Sequence, residues 1–309
     1  CPLCRTALPA GAEKLFDDAT REYVAVLHQV GDGGHERQSL TRTQQKKMAV
    51  IFEMFTNAAN QGHAPAQLNL GVMYRFGYGV AQDAKKAVQW NRKAADQGHV
   101  LAQCNLGGMY FHGEGVAQNV ETAAQWYRRA ADQGNATAQC NLGIMYRHGQ
   151  GVAQDYDKSV QWYHKAVDQG NADAQYNLGR MHYHGHGVAW DFEKAAHLYR
   201  KAADQGDKDA QCNLGTMHHK GEGVSQDFKK AAYWYCKAAD QGDAEGQYSL
   251  GFVYSHGEGV VQDKNEAEQW YRKAADQGLA AAQFSLGTLY QGGEGVTQDY
   301  NEAVRWFRN

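Results

Sequence analysis

The chain has 309 residues, and its 31 basic against 34 acidic side chains leave a formal net charge of −3. Charge so nearly balanced gives no electrostatic reason to expect nucleic acid or an anionic membrane as a partner. No apolar run reaches the length of a membrane span and no signal peptide is visible.

The chain begins at Cys1 rather than Met, so it reads as a fragment. Cys1-Pro2-Leu3-Cys4-Arg5 resembles the closing Cys-Pro-x-Cys pair of a RING-type zinc finger. A C-x₂-C pair supplies half of a tetrahedral zinc site. Residues 1–5 are therefore read as a finger remnant with Cys1 and Cys4 as metal ligands, zinc being held only if further ligands precede Cys1. A redox Cys-x-x-Cys would belong beside a βαβ pattern, and none follows. Residues 6–43 read as a connecting helix and loop. A helix is expected over 13–30, and a loop at Gly31–Gly34. Residues 44–60 read as a degenerate second helix that joins what comes next.

From about residue 44 to 309 one pattern repeats without insertion. Gln61-Gly62 returns at Gln97, Gln133, Gln169, Gln205, Gln241 and Gln277, each 36 residues after the last. A fixed period of this length marks stacked repeats, none of which buries its apolar face alone. The architecture also argues against a compact active site. In the unit from Ala64 to Gly98, Ala66, Leu70, Met73 and Tyr74 make one helical stripe. Gly71 lies beside the stripe and recurs in every copy, at about 1 kcal/mol below alanine in helix propensity. Such a residue implies the close approach of a second helix.

The first helix is expected to stop at Gly77-Tyr78-Gly79. The second opens on Asp83 as N-cap, echoed by Asp155, Asp191, Asp227, Asp263 and Asp299, with Asn119 in the remaining copy. Its buried face is Ala87, Trp90, Asn91 and Ala94, and Gly98 ends it. The Gly-x-Gly loops follow helices rather than strands, so they read as turns, not as a nucleotide fingerprint.

The run Ala-Gln-x-Asn-Leu-Gly-x-Met-Tyr, then Gly-x-Gly-Val-x-Gln-Asp, then Ala-x-x-Trp-Tyr-x-Lys-Ala-Ala-Asp-Gln-Gly, resembles the Sel1-like repeat. That repeat is a relative of the tetratricopeptide repeat with a longer inter-helix loop. The resemblance covers residues 44–309, about seven copies with the last cut short. It implies an all-α fold, an α-solenoid of stacked 36-residue helix–loop–helix units.

The six cysteines argue for a reducing, cytoplasmic setting, while the missing start leaves nuclear or organelle targeting open. Cys104, Cys140 and Cys212 share a slot that Leu68, Tyr176, Tyr248 and Phe284 fill elsewhere, so they read as packing residues. Equivalent sites in adjacent repeats lie about 8–10 Å apart, too far for a disulfide. Cys236 aligns with Arg128 and Arg272 and is expected to be exposed and unpaired.

Histidines cluster at His182, His184, His186, His218 and His219. His184 sits at a helix end, where the dipole favours a cation, and His182 and His218 replace the core tyrosine. Packing is therefore the expected reading, with a metal site at the cluster as the alternative.

Three sets of residues are candidates for partner binding. Asn69, Asn105, Asn141, Asn177 and Asn213 form a ladder, with Ser249 and Ser285 in the last copies. In the family geometry the first helices line a concave face. There the amides serve neighbouring helices, grip an extended peptide backbone, or both. One variable column holds Val72, Gly108, Ile144, Arg180, Thr216, Phe252 and Thr288. A second holds Arg75, Phe111, Arg147, Tyr183, His219, Ser255 and Gln291. Both columns fit either drift on a solvated face or an interaction groove rich in Arg, Tyr, Phe and His.

The expected function is a non-catalytic scaffold that binds a peptide or partner helix. A nested alternative is the substrate-recruiting part of a RING-type ubiquitin ligase, whose chemistry would belong to a recruited ubiquitin-conjugating enzyme. An exported, disulfide-paired repeat protein of the hydrolase or inhibitor type is a third reading, and the chain lacks the paired cysteines and the catalytic constellation it needs.

Overall fold

The structure, a computed structural model, describes residues 10–30 and 41–308. Among these residues there are sixteen helices and no strand. They fall into two compact units, residues 1–155 and 156–309. The first holds α1 (Ala10–Val30), α2 (Arg42–Asn60), α3 (Ala64–Phe76), α4 (Ala84–Asp96), α5 (Val100–His112), α6 (Val120–Asp132) and α7 (Ala136–His148). The second holds α8 (Tyr156–Val167), α9 (Ala172–His184), α10 (Phe192–Asp204), α11 (Lys208–Lys220), α12 (Phe228–Asp240), α13 (Ala244–His256), α14 (Lys264–Asp276), α15 (Ala280–Gly292) and α16 (Tyr300–Arg308). Within each unit, consecutive helices pack as hairpins and the hairpins stack, which is the α-solenoid expected from the period.

Local chemistry sets the boundaries. First helices end on a glycine in the left-handed region, such as Gly77 at φ 75°, whose N–H closes on the Met73 carbonyl. Second helices start where a short acceptor side chain caps them: Asp83 accepts from the Lys86 N–H and Asn119 from the Thr122 N–H. First helices have caps too, on the residue after Gln-Gly, except α15, where Leu279 has no side chain to cap with. His63 and His99 use ring Nδ1 for this, and Asn135, Asn171, Asp207 and Asp243 use a side-chain oxygen. The helix expected from residue 44 begins at Arg42. Thr41 and Gln44 close a capping box around its first turn. Gly31–Gly34 lie outside the described residues.

The core is a ladder of small and large side chains. A Cβ added at Gly107, Gly215 or Gly251 would stand 2.8, 2.8 or 2.7 Å from the ring of Tyr127, Tyr235 or Tyr271. The recurrent mid-helix glycine is therefore the seat of the partner helix's aromatic ring. Burial of such a ring contributes about 2–3 kcal/mol, more than the glycine costs. In the first unit Ile51, Phe55 and Ala58 of α2 are buried against Leu70 and Met73. Phe55 also meets Phe16 and Tyr23 of α1 at 5.8 and 6.0 Å between ring centroids. The α1–α2 pair is thus a degenerate hairpin at the head of this unit.

Buried amides bind hairpin to hairpin. Gln67 donates to the Ala59 carbonyl at 3.1 Å and accepts from Gln97 at 2.7 Å. Gln103 does the same with Ala95 and Gln133, at 3.2 and 2.7 Å. In the second unit Gln211 pairs with Ala203 and Gln241. The Gln of Ala-Gln-x-Asn is structural.

Candidate functional site

One groove of about 310 Å³ opens in the second unit, lined by Tyr176, Arg180, Tyr183, His184, Tyr199, Asn213 and Thr216. Its geometry follows from helical spacing. Tyr176, Arg180 and His184 are i, i+4 and i+8 on α9, with Tyr183 beside them, so one face of α9 makes a wall. Asn213 and Thr216, at i and i+3 on α11, make the other. Tyr199 of α10 is buried, its ring 5.9 Å from that of Tyr176.

The groove is polar with an aromatic base. The Arg180 guanidinium lies over the Tyr176 ring, 5.6 Å from its centroid. Burial holds the Tyr176 hydroxyl above its ordinary pKa, while Arg180 pulls the other way. The Tyr183 hydroxyl donates to Glu222 at 2.7 Å. Burial and that carboxylate push its pKa up to about 12. Both phenols are therefore neutral donors at neutral pH.

Four of the binding candidates singled out from the sequence meet here: Arg180, Tyr183, Asn213 and Thr216. The others are placed elsewhere. Asn69, Val72, Arg75, Asn105, Phe111, Asn141 and Ile144 are half-buried residues of the first unit. Arg147 is only 8% exposed, so it belongs to the packing rather than to a free surface. Two of the ladder amides have local partners: Asn105 reaches Asn91 at 3.5 Å and Asn177 bonds the Asp173 carbonyl at 2.8 Å. His219 and Phe252 lie one hairpin further along the second unit, their rings 5.9 Å apart.

The second variable column has a use that the sequence reading missed. Arg75 makes a bidentate pair with Glu114, at 2.8 and 2.7 Å. His219 Nε2 donates to Glu258 at 2.6 Å, and Tyr183 to Glu222 as above. The acceptor in each case is the middle residue of the next Gly-x-Gly loop, 39 residues on. Also missed as groove residues were Tyr176 and Tyr199, read as packing, and His184. The spacing from Tyr176 through Arg180 to His184 was the available signal.

Cys1 and Cys4 lie outside the described residues. Among the described residues no three or more His, Cys, Asp or Glu converge as metal ligands. His184 and His186 stack on each other at 5.6 Å, while His182 and His218 are buried. Cys104, Cys140, Cys212 and Cys236 are not joined in disulfides. Cys236 is half-buried rather than exposed, because it packs against the core cluster that includes Ala232, Ala239 and Val253, and its Sγ faces Asp240 at 3.6 Å. No described helix is long and apolar enough to cross a membrane.

Stacked helical hairpins with a polar, aromatic groove define an α-solenoid repeat protein. Residues 64–99, 100–135, 136–171, 172–207, 208–243, 244–279 and 280–309 each match the Sel1 repeat, and the chain belongs to the Sel1 repeat family. Solenoids of this family typically serve as protein-interaction scaffolds. The chain is similar to c5321, a protective antigen of uropathogenic Escherichia coli strains, with 34% identity and a TM-score of 0.79 over 96% of this chain and 60% of that one. It thus spans less than two thirds of that protein's length. It is also similar to a Sel1 repeat protein from Oxalobacter formigenes, with 31% identity and a TM-score of 0.70, covering 78% of this chain and 95% of that one. No curated protein matches it.

Proposed function

We propose that the chain is a non-catalytic interaction scaffold that holds an extended peptide or a partner helix against its first helices. The observation that carries this reading is the groove between α9 and α11, about 310 Å³ and lined by Arg180, Tyr183, Asn213 and Thr216. Arg180 and Thr216 fill one column, and Arg180, Val72, Ile144 and Phe252 share nothing that the fold requires. An Arg, several Tyr and an amide in one concavity are the composition of an interface hot spot.

The test uses substitutions borrowed from other copies, which the fold already accommodates. Tyr176→Cys takes the residue of the Cys104, Cys140 and Cys212 slot, and Arg180→Thr that of the Thr216 and Thr288 slot. The double variant should lose the proteins cross-linked and captured by the parent chain while keeping its circular dichroism and Tm. Retention of the same partner set removes the groove from this role.

A second reading rests on Cys1 and Cys4. If further zinc ligands spaced as in a RING finger precede them, the solenoid delivers substrates to a ubiquitin-conjugating enzyme held by that finger. An upstream sequence without such ligands removes this reading.

A further inference from the structure

The fourth repeat, residues 172–207, breaks its own rule at one place. In the other six copies a glutamine, such as Gln82, Gln118 or Gln226, precedes the second helix by two residues. Its amide donates to a carbonyl at the end of the first helix, at 2.8 to 2.9 Å in these three. The fourth copy has Trp190, which has no amide to make that bond and stands 68% exposed. A large indole that gives up a structural bond and faces water has no use in the repeat.

Trp190 is also continuous with the groove. Its ring meets Phe192 at 4.9 Å, Phe192 meets Tyr183 at 5.1 Å, and Tyr183 is a groove wall. Within that wall the cation is available. Arg75 pairs with Glu114, Arg272 with Glu268 and Arg200 with His218, whereas among the described residues Arg180 makes no ion pair and lies only over Tyr176. The surrounding carboxylates are engaged or few. Glu222 accepts from Tyr183, and Asp207 caps α11 through the Ala210 N–H. Asp209, near Tyr176, adds negative potential at that edge. One anion is therefore matched by Arg180, and a run of several would be repelled.

We propose that the groove takes an internal segment of extended polypeptide carrying a single Asp or Glu. Its carboxylate sits on Arg180 and an adjacent apolar side chain lies on Trp190 and Phe192. This rests on the groove reading above and names the chemistry of its occupant. A planar guanidinium suits a carboxylate, and an exposed indole beside it suits an apolar anchor.

The experiment is selection of random dodecapeptides, displayed with the C-terminus fused to the carrier, on the intact chain. The selected peptides should carry one acidic residue beside an apolar one. Measured by fluorescence anisotropy, Asp→Asn or Glu→Gln in the peptide should weaken binding about tenfold, the scale of one charge-assisted contact. Arg180→Thr should weaken it similarly, and the two losses should not add when combined. Trp190→Gln, which restores the repeat's own residue, should cost at least about tenfold. Selected peptides without acidic enrichment that still lose binding to Tyr176→Cys would overturn this inference and leave the groove reading standing. Peptides that bind only with a free C-terminal carboxylate would also overturn it. Peptides indifferent to Tyr176→Cys and Arg180→Thr, or no enrichment on the folded chain, would overturn both.

Discussion

Arg75 and Glu114 form a two-pronged ion pair across 39 residues, from the end of α3 to the loop after α5. Tyr183 with Glu222 and His219 with Glu258 repeat the geometry with different donors. The column varies in residue type but keeps a donor where the next loop offers a carboxylate. It holds hairpin to hairpin, so a varying position need not be a partner-binding one. Both members of the Arg75–Glu114 pair are about a third exposed (34% and 29% of the side chain), which limits their net worth to at most about 1 kcal/mol. A double-mutant cycle of Arg75→Met and Glu114→Gln, read by urea unfolding, should give a coupling of about 0.5–1 kcal/mol that fades in 1 M salt. The Tyr183–Glu222 coupling, from Tyr183→Phe and Glu222→Gln, should respond less to salt, because the phenol is neutral.

Gly107 offers a sharper test of packing. Alanine there gains about 1 kcal/mol of helix propensity but drives a methyl to 2.8 Å from Tyr127. Overpacking of a filled core costs about 1–3 kcal/mol, so Gly107→Ala should be net destabilising. Pairing it with Tyr127→Leu should recover part of the loss in thermal unfolding. Gly98→Ala meets no atom within 4 Å, and its cost, about 1 kcal/mol from φ of 90°, should not change with Tyr127→Leu.

Helix ends and the close approach of the second helix at the mid-helix glycine were legible in the sequence because they recur in register, as Asp83 and Gly71 do. That the approaching group is mostly an aromatic ring was not. The caps of the first helices were not, because that slot changes from His63 to Asn135 to Asp207 while keeping one acceptor atom. Pairs such as Arg75–Glu114 were hidden for a related reason. The donor sits in a column that looks like drift, and the acceptor sits inside a Gly-x-Gly that reads as a turn. For the groove, Arg180, Tyr183 and Asn213 could be found as departures from the repeat or as a polar ladder. Tyr176 carried only its helical spacing to Arg180 and His184 as a signal. Tyr199 carried none, because its ring is buried like any core aromatic and shows only an edge to the groove. Trp190 was visible as a letter, but its exposure is a property of the fold.

Four histidines, His63, His99, His182 and His218, are held below their ordinary pKa chiefly by burial. His63 and His99 need an unprotonated Nδ1 to cap their helices, and His218 Nε2 accepts from Arg200 at 3.1 Å. The unfolded chain takes up these protons below about pH 6.5 and the folded chain only at lower pH. The stability these four groups contribute should therefore be fully present above that window and fall as pH drops from about 6.5 toward 5. His99→Asn takes the residue of Asn135 and Asn171, and His218→Tyr that of Tyr110 and Tyr146, which accept from Arg92 and Arg128. Both together should flatten the Tm-against-pH curve in that window.

Gln103 must donate to the Ala95 carbonyl and accept from Gln133 at once, and only a neutral group with both functions does this. Gln103→Met removes both bonds, though Ala95 still accepts from the Gly98 N–H and Gln133 still reaches the Arg129 carbonyl. The loss should be about 1–2 kcal/mol in urea unfolding. Gln103→Glu keeps the shape but at neutral pH points a buried carboxylate at a carbonyl oxygen, so it should cost more, about 2–3 kcal/mol. Protonation restores an O–H donor. The gap between the Glu variant and the parent should therefore narrow on acidification to pH 4, whereas the gap for the Met variant should not. A Glu variant as stable as the parent at pH 7 would mean that the amide relay does not hold the hairpins together.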